Sequence, residues 1–296
     1  MSLKLGFVGI GRMGKPMAGH LLDAGYDLTV FDPNKSAVEA LVAKGAKAAE
    51  SPKAVGDEAE LILMSLPTPD VVTEAATGAE GISKGSKARA VIDLSTTGPT
   101  AARALAEGLK ADGLGCVDSP VSGGVAGAEK GSLTLMTACT DELFAEVEPI
   151  LKLFGKVTHV GQEAGQAQLI KVINNLMSVT ALAIASEGIV LAEKAGVSGE
   201  TLMNVVNQGS GRSNASEDKI PKYVLSRKFD FGFALGLSAK DVRLCIAESE
   251  ALGVPMIVGS AAKMLMGIAH TQQGPDADLT ELIKSVERLA NTEQAS

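Results

Sequence analysis

Lys171 and Asn175 stand four residues apart, so on a helix they share one face. Around them run Leu169, Ile170, Val172, Ile173, Leu176 and Met177, all apolar. Desolvation among such neighbours lowers a lysine's pKa toward the range useful for proton transfer. The same residues also fit a helix-start lysine whose stem packs while its amine reaches water. Upstream, Ser122-Gly123-Gly124 follows an apolar run. Two glycines there let backbone N–H groups point at a carboxylate, with the serine hydroxyl as a third donor. An ordinary turn before a helix over 125–130 has the same pattern. Further on, Gly209-Ser210-Gly211-Arg212-Ser213-Asn214 makes a mobile turn able to aim the Arg212 guanidinium. Pairing of Arg212 with Glu217 or Asp218 is the competing reading.

Near the start, Gly9-Ile10-Gly11-Arg12-Met13-Gly14 separates an apolar run, Leu3 to Val8, from a helical pattern of Met17, Leu21 and Leu22 that Gly25 stops. In a strand–turn–helix of this kind the first glycine permits the tight turn. The second lets backbone approach phosphates, and the third lets helix pack on strand. Ile10, Arg12 and Met13 complete the loop, and a diphosphate would rest on the helix N-terminus. A second apolar run, Leu28 to Phe31, ends in Asp32, where a carboxylate can accept bonds from ribose hydroxyls. The loop together with its strand, helix and acid predicts a dinucleotide site.

These residues need a frame. From Lys4 to about Val160 apolar runs alternate with helical patterns. Leu61 to Leu66 is continuous and ends at Pro67, as a buried parallel strand should. Ala90 to Leu94 precedes Ser95-Thr96-Thr97 and a helix with Pro99 in its first turn, where a missing N–H costs nothing. Leu114 to Val117, Ser132 to Thr137 and Val157 to Val160 complete the strand set. This α/β alternation predicts a doubly wound sheet with ligands at the strands' C-terminal ends, where Leu66, Pro67, Thr96 and residues 119–124 sit. After Gly165 the texture changes. Leu169 to about Lys194 reads as a long helix, and segments 199–208, 214–227, 236–252, 256–270 and 277–290 read as further helices. Two domains are expected, 1–163 for the dinucleotide and 164–296 all-α, joined by the long helix and ending in a frayed tail from Asn291.

Bulk properties narrow the partners. A length of 296 residues fits two domains, and 46% hydrophobic residues excludes a disordered chain. A net charge of −8 argues against nucleic acid or an anionic membrane as partner. No run of about 18 uninterrupted apolar residues appears, so no bilayer-spanning segment is expected. The chain opens on a strand with no signal-peptide pattern, and Cys116, Cys139 and Cys245 are few, odd in number and far apart. Both features suit a reducing cytoplasm. The three histidines have no ligand-like spacing, and no metal is expected.

Taken together, these segments resemble the β-hydroxyacid dehydrogenase family. GFVGIGRMGKPMAGHLL is similar to its cofactor signature, DSPVSGG with AGAEKGSLTLM to its substrate signature, and GQAQLIKVINN to its catalytic segment. LSAKDVRL is similar to its late Lys-Asp motif. One departure is Ala167, where the family's second glycine stands; the helix is expected to begin slightly earlier. The resemblance implies a Rossmann-type domain followed by an all-α domain; Asp32, whose carboxylate would repel a 2′-phosphate, points to NAD as cofactor, with NADP possible. It implies Lys171 as general acid/base and Asn175 as the group orienting the substrate oxygen. Ser122, Gly123 and Gly124 would hold the carboxylate of a small-molecule substrate. Lys240 would reach the substrate and the nicotinamide ribose, and Arg212 would face the far side of the pocket, where it can bind a second anionic group. The implied reaction interconverts a short 3-hydroxy acid and its semialdehyde, as in 3-hydroxyisobutyrate dehydrogenases. The alternatives are a tartronate semialdehyde reductase type and, in another class, a cofactor-binding scaffold without turnover. A homodimer or homotetramer is expected from the surplus apolar faces of the long helix.

Overall fold

The computed structural model describes residues 3–292; the last residues of the expected frayed tail lie outside them. Cα packing divides the chain into two compact units, with the division between Lys171 and Val172. The expected junction at 163/164 lies in the loop before a helix that runs unbroken from Gln166 to Lys194, so the two divisions differ by that helix's first turns.

The first unit alternates as the apolar runs predict. In chain order it contains β1 (Lys4–Val8), α1 (Gly14–Asp23), β2 (Asp27–Phe31), α2 (Lys35–Val42), β3 (Lys47–Ala48) and α3 (Pro52–Glu58). There follow β4 (Leu61–Met64), α4 (Pro69–Thr77), β5 (Ala90–Asp93), α5 (Pro99–Ala111), β6 (Gly115–Asp118) and β7 (Val121–Ser122). It closes with α6 (Gly124–Lys130), β8 (Leu133–Ala138), α7 (Asp141–Leu151), β9 (Gly155–Gly161) and the start of α8 (Gln166–Lys194). Local chemistry sets several starts: Asn34, Ser51, Thr68 and Thr140 each accept a backbone N–H at their helix N-caps. Pro52, Pro69 and Pro99 open α3, α4 and α5, where no N–H is needed.

The sheet order is β3-β2-β1-β4-β5-β6-β8-β7, with β9 also on β8. Strands β1 to β6 are parallel, and the chain reverses at β8, which runs antiparallel to β6 and β7. Both sheet faces are covered. Leu61 and Leu63 of β4 enter one core with Phe7, Met17, Val30 and Ile92. Ile62 and Met64 enter the other with Val55, Val72, Val91 and Leu105. That split follows from the two-residue period of a strand, and continuous burial follows from helices on both faces. The strand order reverses direction between β1 and β4, and at such a point the crevice beyond the strand ends takes a ligand.

The second unit is helical. It holds the remainder of α8, then α9 (Gly199–Val206), a π-helix (Ala215–Val224), α10 (Leu235–Ala251), α11 (Ile257–Gln273) and α12 (Leu282–Leu289), the last preceded by a short 3-10 turn. Val172, Leu176, Val179, Leu182 and Ile189 of α8 pack in its core with Ile220, Val242, Met266 and Leu282. The segment expected as an ordinary helix over 214–227 is instead wound wide, with Leu225 N–H donating to the Ile220 carbonyl at 2.9 Å. Pro221 lies inside it, lacking an N–H and clashing with α-helical carbonyl positions. By length and mean hydropathy α8 is long and apolar enough to cross a membrane, although no 18 apolar residues are consecutive. Its buried stripe belongs to the helical core just described.

Candidate active site

The glycine loop after β1 has the shape its residues demand. Gly9 holds φ +93°, a region closed to most side chains, and a Cβ there would stand 2.4 Å from the Ser65 carbonyl oxygen. A Cβ on Gly14 would stand 1.9 Å from the Gly9 carbonyl oxygen, so α1 approaches its own loop too closely for any side chain. Gly11 differs: a Cβ there would meet nothing within 4 Å. Packing therefore does not require glycine at this exposed position. At the start of α1 no side chain caps the helix; the Lys15 N–H donates to the Gly11 carbonyl at 3.0 Å and Pro16 has none, so of the first turn Gly14 can offer its N–H to an anion. Beside the loop opens a cavity of about 680 Å³ lined by Ile10, Gly11, Arg12, Lys15, Asn34 and Lys44, among others.

Asp32, at the end of β2, accepts the Ile10 N–H at 2.6 Å and the Asn34 N–H at 2.7 Å. Each carboxylate oxygen keeps a further lone pair for a ribose hydroxyl. It therefore clamps the glycine loop to the end of β2. Leu66, after β4, donates its N–H to Ser95 Oγ at 2.9 Å, tying the ends of β4 and β5 where Pro67 and Thr96 lie. Bare backbone at Gly11, an uncapped helix start and an acid at the second strand end together fit a nicotinamide dinucleotide.

The lysine helix is pinned to the same sheet. Asp118, at the end of β6 and 1% exposed, accepts the Gly165 N–H at 2.8 Å and the Gln168 N–H at 3.3 Å on one oxygen. Its other oxygen accepts Gln168 Nε2–H at 3.0 Å. The same amide nitrogen donates to the Ser95 carbonyl at 3.0 Å, and Gln168 Oε1 accepts the N–H groups of Thr97 and Gly98 at 3.0 and 3.1 Å. One buried glutamine thus joins the ends of β5 and β6 to the first turn of α8. Burial pushes the Asp118 pKa up to about 6, against the opposing pull of its N–H donors. Lys171 follows Gln168 by three residues and is 7% exposed. Downstream of Asp118, Ser122 pairs in β7 with Thr134 of β8. Gly123 (φ +131°) and Gly124 (φ +64°) turn the exposed chain from strand into α6.

In the helical unit, Asn175 is buried and donates Nδ2–H to Asp241 Oδ2 at 2.6 Å, while its own Oδ1 accepts from Asn174 Nδ2–H at 3.2 Å. Lys240 Nζ lies 3.3 Å from Asp241 Oδ1. Asp241 therefore stands between the two expected polar groups of this unit and fixes the amide of one. Arg212 lies on an exposed turn, 3.7 Å from Glu217 Oε1. Exposure of both partners makes that pair weak.

Residues 4–161 match the family model described as the NAD binding domain of 6-phosphogluconate dehydrogenase. Residues 165–286 match the model for the NAD-binding region of NADP-dependent 3-hydroxyisobutyrate dehydrogenase. The chain is 35% identical to 2-(hydroxymethyl)glutarate dehydrogenase of Eubacterium barkeri, over 97% of this chain and 96% of the relative. It belongs to the β-hydroxyacid dehydrogenase family. It is 31% identical to 3-sulfolactaldehyde reductase of Escherichia coli, over 95% of both chains. Among solved structures, 3-hydroxyisobutyrate dehydrogenase of Mycobacterium tuberculosis with L-serine superposes with a TM-score of 0.89 at 29% identity, covering 97% of this chain and 99% of the other.

This β-hydroxyacid dehydrogenase is thus an NAD(P)-dependent oxidoreductase. Its expected site residues fall into three groups in the structure: the loop with Asp32, the strand ends that carry Ser122 and pin Lys171, and Asn175 with Lys240. Three side chains escaped the sequence reading as functional. Asp118 opens the DSPVSGG signature, Gln168 lies inside GQAQLIK, and Asp241 follows Lys240. For Asp118 an ionisable side chain at the end of an apolar run was the available signal.

Proposed function

We propose that this dehydrogenase interconverts a short 3-hydroxy acid and its semialdehyde, with NAD preferred over NADP. Lys171 supports the reading most directly. It is a buried lysine on the first turns of a helix whose start is held by Asp118 and Gln168. Bound nicotinamide supplies the hydride acceptor. Lys171 takes the hydroxyl proton as the carbonyl forms and returns it to the oxygen in the reverse direction. In either direction its ammonium form stabilises negative charge developing on that oxygen. Asn175, its amide oriented by Asp241, positions the oxygen. Ser122 and the backbone of Gly123 and Gly124 hold the substrate carboxylate. Lys240 serves the substrate and the ribose, and the glycine loop with Arg12 and Met13 holds the diphosphate. Asp32 supports NAD, since a carboxylate at that strand end repels a 2′-phosphate.

The domains are read as 1–163 for the cofactor and 164–296 for substrate and assembly. A homodimer or homotetramer is supported by Ile170, Met177, Ile184 and Leu191, which recur every seventh residue along α8 and are all exposed. Three free cysteines and an acidic chain support a cytoplasmic enzyme without nucleic-acid or membrane partners. The test is a panel of 3-hydroxyisobutyrate, 3-hydroxypropionate, 2-(hydroxymethyl)glutarate and tartronate semialdehyde with both cofactors, ranked by kcat/KM. Turnover of at least one with NAD above NADP is expected. NADP equal or better would overturn the role of Asp32.

A further inference from the structure

Gln168 is fully enclosed, and every hydrogen-bonding position of its amide is taken. A primary amide offers two N–H donors and two acceptor lone pairs. Nε2 spends its donors on the Ser95 carbonyl and on Asp118 Oδ1, both at 3.0 Å. Oε1 accepts the Thr97 and Gly98 N–H groups, the two just ahead of α5, a helix without a local side-chain cap. Turning the amide over would set donor against donor, so it has one orientation. Glutamate lacks at least one of the donors, and methionine lacks both. A buried amide satisfied in this way specifies a single geometry. Holding the helix start does not by itself require it, because Asp118 already accepts the Gly165 and Gln168 N–H groups.

What the amide adds is a fixed spacing between the first turn of α8 and residues 95–98. Its bonds to Ser95 and Thr97 hold both chain neighbours of Thr96, at the strand end where a cofactor is expected. Lys171 follows Gln168 by three residues, about 4.5 Å along the helix axis and about 60° around it, so the two are neighbours on α8. All of these residues, Lys171 included, belong to the first unit. We infer that Gln168 is a positioning residue for the reaction: it fixes the first turn of α8, and through it Lys171, against the cofactor end of β5. Hydride transfer and proton transfer then share one geometry. A displacement of about 1 Å in such an arrangement can cost about 100-fold in rate. The inference rests on the role proposed above for Lys171 and on the cofactor lying at the end of β5.

The test measures kcat, KM, the NAD dissociation constant and Tm of Gln168→Met, Gln168→Glu and Lys171→Ala beside wild type, on the best hydroxy acid of the panel. Val147→Ala, a truncation on α7 in the core of the same unit, is the stability control. Methionine keeps the length and loses all four bonds; glutamate keeps the acceptors for Thr97 and Gly98 and gives up at least one donor. The kcat of Gln168→Met is expected to fall about 100-fold and that of Gln168→Glu about tenfold. KM and NAD affinity should stay within about threefold, because the glycine loop, Asp32 and residues 122–124 are not among the partners of Gln168. The solvent deuterium isotope effect on kcat should rise in both variants, since a displaced lysine slows proton transfer. Val147→Ala should lower Tm and leave kcat and the isotope effect as in wild type. If Gln168→Met does not fold, Gln168→Glu decides alone. Wild-type kcat in a folded Gln168 variant, or a loss no larger than that of Val147→Ala at equal loss of Tm, overturns the positioning role. A Lys171→Ala variant that keeps its kcat overturns the proposed reaction itself, and a collapsed one beside fully active Gln168 variants overturns the positioning role alone.

Discussion

Asp118 shows how one buried side chain can hold the start of a helix. It is fully enclosed, and its two oxygens meet three N–H donors from the start of α8. Burial dominates and raises its pKa from 3.8 to about 6. The folded chain therefore holds a proton at Asp118 more tightly than the unfolded chain does. That contribution is fully present below about pH 3.8 and is lost as pH rises through about 6, a change of roughly 3 kcal/mol at most. Asn at this position cannot titrate but presents an N–H₂ where Gln168 already donates, so Asp118→Asn is expected to be less stable at every pH. Its deficit relative to wild type should shrink between pH 4.5 and pH 7.5 in urea unfolding. A deficit that is the same at both pH values would mean that Asp118 is ionised throughout.

At the scale of elements, the glycine loop separates folding from binding. Gly14 is required by the fold, because a methyl there meets the Gly9 carbonyl at 1.9 Å. Gly11 is not, since a methyl there meets no protein atom within 4 Å. Gly14→Ala is expected to lower Tm by several degrees, consistent with overpacking costs of about 1–3 kcal/mol. Gly11→Ala is expected to melt like wild type and to weaken NAD binding at least tenfold by titration. Equal effects of both substitutions on Tm would contradict this division. The loop, its strand and its helix were legible in the sequence because their residues are consecutive and their apolar period is strong. Continuous apolar runs likewise revealed β4 and β5. The two-residue strands β3 and β7 carry too few residues for a period. The reversal at β8 depends on how residues 119–132 fold back, and the π-helix keeps the apolar spacing of an ordinary helix while changing its pitch. Gln168 was illegible as a clamp because its partners lie 50 to 73 residues away.

At the scale of the whole molecule, the seven-residue stripe on α8 bears on assembly. Met177, Ile184 and Leu191 are each more than 60% exposed, which is costly for a lone chain and ordinary for an interface. Ile184→Glu is expected to reduce the sedimentation mass of the enzyme relative to wild type. A wild type that already sediments as a monomer would contradict the proposed oligomer. The central claim is that this chain is a dehydrogenase whose chemistry runs through Lys171. Its most direct test is to measure kcat and the NAD dissociation constant of Lys171→Ala beside wild type, on the best hydroxy acid of the panel. Loss of a positioned acid/base should lower kcat by about 10²–10⁴-fold. The glycine loop and Asp32 are untouched, so NAD affinity should stay within about threefold. A variant that keeps most of its kcat, or loses NAD binding in step with activity, would contradict the account.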